Sequence, residues 1–115
     1  MADPVARFVD DIGRLGLNPR IEAGLVLFTV EPVDGARAGG RVETGVDATE
    51  LARWPQVPPH WVHFPTDVKL ARTNSRPSSR KGWTKHSRQI VGWGFEQAGV
   101  AWAGHVRGIL SEAVS

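Results

Sequence analysis

The chain contains no cysteine. That excludes disulfides, thiolate metal sites and any cysteine nucleophile. It has no run approaching the ~18 consecutive apolar residues that a membrane-spanning helix requires. The opening MADPVARFVDD carries acids where a secretion signal would have an apolar core, so a cytoplasmic location is the expectation. A third absence is local. No Asp or Glu falls between Asp67 and Glu96, whereas Lys69, Arg72, Arg76, Arg80, Lys81, Lys85 and Arg88 all do, half of the 14 Lys and Arg. The remainder of the chain is net acidic, so the net charge of +2 conceals a basic segment. Such a segment either meets an acidic or phosphorylated partner or is a solvated basic loop.

What is present suits one globular domain spanning residues 1–115, with 41% hydrophobic residues to build a core. Asp3-Pro4 supplies an N-cap acceptor and a proline for the first helical position. Val5, Phe8, Val9, Ile12 and Leu15 follow at helical spacing until Gly16 and Asn18-Pro19 end the helix. From Ile21 to Val30 both alternating faces are apolar, which predicts one central strand. Residues 41–51 alternate, with Val42, Thr44, Val46 and Ala48 on one face, as in a half-buried antiparallel strand. Trp54-Pro55-Gln56-Val57-Pro58-Pro59 is a rigid connector to a short strand, Trp61 to Phe64. Trp61 and Trp102 are expected in the core. Asn74, Ser75, Pro77, Ser78 and Ser79 read as turns in a long basic loop. A last helix is expected from about Val100 to Val114, with Trp102, Val106, Ile109, Leu110 and Ala113 as its stripe. The fold class is therefore α+β: an N-terminal helix, an antiparallel β-meander, a long flap loop and a C-terminal helix.

The segment from Pro58 to Trp93 is the expected seat of function. Long irregular excursions in small domains are functional or disordered, and its tryptophans and histidines argue against disorder. Its residues resemble a family. Pro58-Pro59 leads an aromatic-aliphatic strand; Thr73-Asn74, Gly82 and Trp93 follow; and Gly82 to Arg88 is a Gly-Trp-x-x-His-Ser-Arg run. In these features the chain is similar to prokaryotic members of the ubiquitin-conjugating-enzyme-like (E2/UBC/RWD-like) superfamily, truncated after one C-terminal helix. The family's catalytic cysteine would fall near Lys85, and Arg72-Thr73-Asn74 stands where classical members have His-Pro-Asn.

That resemblance implies an E2-like component of a bacterial ubiquitin-like conjugation or antiphage defence system, with an E1-like or ubiquitin-like partner. Without cysteine the chain is a non-catalytic adaptor, or a transferase carrying an oxyester on Ser or Thr. The residues implied for catalysis are Ser87, His86 and Asn74, the asparagine as oxyanion donor. Neighbours on an extended segment point to opposite sides, so a base for Ser87 would come from His60, His63 or His105 rather than from His86. Trp83, Lys85, Arg88 and Trp93 are the candidate partner-binding residues. The alternatives are an RWD-type interaction module with no transfer role, and a nucleic-acid- or phosphate-binding domain using the basic loop. Confinement of the charge to one loop, and the lack of a recognisable motif, argue against nucleic acid. No cofactor or metal is expected, since His60 and His63 on a strand would face opposite ways.

Overall fold

The computed structural model describes residues 3–115. Helix α1 (Pro4–Gly13) begins where Asp3 caps it, its carboxylate accepting from the Val5 amide at 3.0 Å. Phe8 and Ile12 are its buried residues. The helix stops at Gly13, so Leu15 lies beyond it and is exposed rather than in the stripe.

The stretch expected to be one strand is a hairpin. Strand β1 (Arg20–Glu22) pairs antiparallel with β2 (Leu25–Val30), and Glu22 opposes Leu25 across a two-residue turn. Ala23 and Gly24 both have positive φ, 49° and 82°, as the tightest hairpin turns demand. Alanine gives no signal for that geometry. Ile21 consequently sits on an edge strand, exposed, and β2 alone is buried.

Strand β3 (Val42–Asp47) runs antiparallel to β2 and ends where Asp47 caps a 3-10 turn, Ala48–Leu51, so the alternating segment is shorter than its pattern implied. Strand β4 (Val62–Pro65) follows. The basic excursion is then not a flap. It forms strands β5 (Asn74–Pro77) and β6 (Trp83–Ser87), and the six-stranded sheet has the order β1-β2-β3-β4-β6-β5. The expected meander holds through β4; beyond it β6 inserts between β4 and β5. The physical reason is the edge of β4. Val62 and Phe64 are core residues, and an unpaired β4 would leave a row of backbone donors and acceptors open beside them. Gly82, at φ 80°, turns the chain so that β6 covers this edge, and a Thr66 N–H to Gly82 C=O bond of 2.9 Å extends the ladder.

Helix α2 (Ala98–Leu110) follows a 3-10 turn at Phe95–Gln97, so it starts and ends earlier than the stripe suggested. Ala113 lies past its end yet stays buried, and its carbonyl accepts from the Ala36 amide at 3.0 Å. Both helices cover one face of the sheet, over Val26, Phe28, Val30, Val46, Val62 and Phe64. They approach closely at Gly99, where a Cβ would lie 3.1 Å from Asp11 Cβ. Trp54 joins this core, edge-on to Phe8 at 4.8 Å, and its indole N–H donates to Asp11 Oδ2 at 2.9 Å. No helix among the described residues is long and apolar enough to cross a membrane.

Candidate functional site

The other face of the sheet carries no helix. By strand alternation it presents Trp61 just before β4, His63 and Pro65 on β4, Trp83, Lys85 and Ser87 on β6, and Asn74 and Arg76 on β5. Trp61 is therefore half-buried on this open face rather than in the helix-side core, whereas Trp102 is 1% exposed. Toward β2 the face is closed: Leu25, Leu27 and His63 crowd around Gly45, where a Cβ would meet Leu27 Cδ2 at 3.0 Å and His63 Cβ at 3.6 Å.

Asn74 and Ser87 are register partners across β5 and β6. With them, Pro58-Pro59-His60 and residues 88–90 line a cleft of about 490 Å³. Each wall has its own anchor. Glu50, on the 3-10 turn after β3, accepts from the His60 amide at 2.9 Å and the Trp61 amide at 3.2 Å. The Arg88 guanidinium is held by the Glu112 carboxylate just past α2, at 2.7 and 3.3 Å. Burial, with Arg88 adding to it, lowers the pKa of His105.

The strand period divides the candidate residues. Ser87, Asn74 and Arg88 come together in the cleft, with His60, and His86 does not join them. Its ring turns to the helix side, 5.7 Å from the Phe64 ring, and its Nδ1 shares a 2.8 Å hydrogen bond with Thr73 Oγ1. It is 4% exposed, and burial lowers its pKa, so it is neutral at physiological pH. It lines a second cavity, of about 240 Å³, with Thr66, Lys69, Ser75 and Thr84. Ser87 makes no side-chain hydrogen bond among the described residues, to His60 or to any other base; Asn74 is exposed and free to donate.

Of the partner-binding candidates, Lys85 and Trp83 lie on the open face. Lys85 Nζ rests 4.8 Å from the Trp61 ring centroid, and Arg80 Cζ lies 5.1 Å from that of Trp83. Trp93 is half-buried: its indole N–H donates to the Pro55 carbonyl at 3.1 Å, and its ring meets Trp54 at 5.7 Å.

Two contacts escape a reading of the sequence: the Glu50 anchor, and the tie to Ser78 made by His63, whose expected role was as a base for Ser87. Glu50 reveals itself only through long-range bonds. His63 is 2% exposed and shares a 2.7 Å hydrogen bond through Nδ1 with Ser78 Oγ, which also accepts from the Arg80 amide at 3.0 Å. Desolvation lowers the His63 pKa to about 4, against a smaller upward pull from Asp47. The β5–β6 turn is thereby tied down over the open face. Among the described residues no three His, Asp or Glu side chains gather as a metal site would require. Comparison of the chain with protein-family models, with curated proteins and with solved structures finds no match.

Proposed function

We propose that the chain is an E2-like component of a bacterial ubiquitin-like conjugation or defence system in the cytoplasm, binding an E1-like or ubiquitin-like partner as an adaptor. The observation that carries this reading is the register that sets Asn74 against Ser87, with the Pro-Pro segment as the facing wall. Of the residues that carry the resemblance, Pro58, Pro59, Asn74, Ser87 and Arg88 thus line one cleft, although they are far apart in sequence. The element order follows what the resemblance implies from α1 to β4 and again at the C-terminal helix; between them the β5–β6 hairpin, with β6 next to β4, departs from the expected flap.

The chemistry favours an adaptor over a carrier. Lys85 stands where the resemblance would put the cysteine, and an ammonium seated on Trp61 forms no thioester. Ser87 is the hydroxyl beside it, and an oxyester on serine requires a base in hydrogen-bond reach. His86 is committed to the opposite face, and His60 shares the cleft without bonding Ser87. The cleft offers recognition groups: a carboxamide, a hydroxyl, an imidazole and a fixed guanidinium.

The test is incubation of the purified chain with E1-like and ubiquitin-like proteins of the same genome and ATP, followed by size-exclusion chromatography and intact mass measurement. A co-eluting complex with no added mass is expected. A hydroxylamine-sensitive adduct that disappears in Ser87→Ala would make the chain a carrier instead. Failure of both proteins to bind would remove the reading.

A further inference from the structure

The basic hairpin carries a feature that the cleft does not use. Arg14, Arg20, Arg37 and Arg41 each pair with a carboxylate, and Arg88 pairs with Glu112. Arg76, Arg80 and Lys85 form no ion pair among the described residues, because no acid occurs in their segment and the sheet brings none to them. Arg76 and Lys85 are register partners on the open face. Beside them stand two half-buried indoles, each under a cation: Trp61 under Lys85 and Trp83 under Arg80. Like charges placed directly opposite repel. A surface that keeps Arg76 against Lys85 without counter-charge is complementary to an anion supplied from outside.

We propose that this open face, formed by Trp61, Trp83, Arg76, Arg80 and Lys85, binds single-stranded nucleic acid. The cations swing out to contact phosphates, which uncovers the ring faces they lie over, and the indoles then provide planes on which bases stack. Alternation of the two is what distinguishes this surface from a simple basic patch. An acidic peptide would engage the cations and leave the aromatic planes unused. A duplex would need a helix or β-ribbon projecting into a groove, and this face is the broad side of a sheet. Single strands present unstacked bases and phosphates together, which matches cations interleaved with aromatics. The carboxylates of β3 on the same side are engaged elsewhere, Glu43 by Arg20 at 2.7 Å and Asp47 by the Thr49 amide at 2.9 Å. They bound the surface on the side away from the hairpin.

The experiment is fluorescence anisotropy with a labelled single-stranded oligonucleotide of about 12 nucleotides, within the range one small domain covers, titrated at several salt concentrations. Binding is expected, with a log–log salt slope of about −2 if three phosphates are contacted. Arg76→Ala with Lys85→Ala should flatten that slope by about 1.4, while Arg14→Ala leaves it unchanged. Trp83→Ala should weaken binding by roughly 5-fold or more, with Trp83→Phe restoring most of it. Circular dichroism of each variant checks folding, and wild-type tryptophan fluorescence should be quenched on binding. Absence of binding at low salt overturns the proposal. So does equal affinity for duplex DNA, or displacement by a polyglutamate peptide at equal charge concentration. None of these measurements involves an E1-like or ubiquitin-like protein, so this proposal and the adaptor reading stand or fall separately.

Discussion

His63 and Ser78 share a 2.7 Å hydrogen bond that fastens the turn between β5 and β6 to the sheet. The imidazole is buried, with its pKa lowered to about 4. The folded state therefore prefers neutral His63, while the unfolded chain takes up a proton near pH 6.5. The stability associated with neutral His63 is fully present above pH 6.5 and is lost as pH falls toward 4, a loss of about 3 kcal/mol at most. Burial lowers the pKa of His86 and of His105, so both act in the same direction. Urea-denaturation midpoints taken from pH 7 to pH 4 should fall more steeply for the wild type than for His63→Phe, which has no titrating group at that position. Parallel curves would show that His63 does not carry this dependence.

The β1–β2 turn is suboptimal. Ala23 sits at φ 49°, a region disfavoured for a residue with a Cβ, while Asn tolerates it. Ala23→Asn should raise stability by about 0.5 kcal/mol, read as a higher thermal midpoint. Gly35 is the opposite case. At φ 81° a Cβ there would clash with the Ser111 carbonyl oxygen, so Gly35→Ala should cost about 2 kcal/mol or more. Equal effects of the two substitutions would contradict this assignment of strain.

Asp11 holds the buried Trp54 indole through a 2.9 Å hydrogen bond at the place where α1 meets α2. Asp11→Ala leaves a buried N–H without a partner and should destabilise by about 1–3 kcal/mol. Asp11→Asn keeps an acceptor and should cost less. Chemical denaturation followed by tryptophan fluorescence measures both.

Glu50 fixes the cleft wall through two backbone amides, at His60 and Trp61. Glu50→Ala should weaken partner binding at the cleft several-fold, by loosening that wall, with a stability loss of about 1 kcal/mol. Affinity measured against the same partner as for the wild type separates the two effects.

Legibility in the sequence followed burial. The cap and stripe of α1, the alternation of β3 and the stripe of α2 were all readable, because each places apolar residues at the period of its element. The β1–β2 turn was not, since Ala23 adopts a conformation that its residue type does not advertise. The β5–β6 hairpin was not either. All four residues of β5 are exposed, Pro77 argues against a strand, and Trp-Thr-Lys-His-Ser in β6 contains no aliphatic residue. β6 is held by backbone pairing to the edge of β4, and β5 by pairing to β6, a long-range cause with no local pattern. For the same reason Asn74 and Ser87 could be singled out separately, but not seen to face each other.

The most direct test of the account is to map the binding surface by NMR. The ¹⁵N-labelled chain is titrated with the proposed E1-like or ubiquitin-like partner, and amide shifts are followed residue by residue. The account predicts perturbations centred on His60, Asn74, Ser87 and Arg88 around the cleft, with no covalent product. Perturbations confined to the outer surface of α1, or none at all, would contradict it.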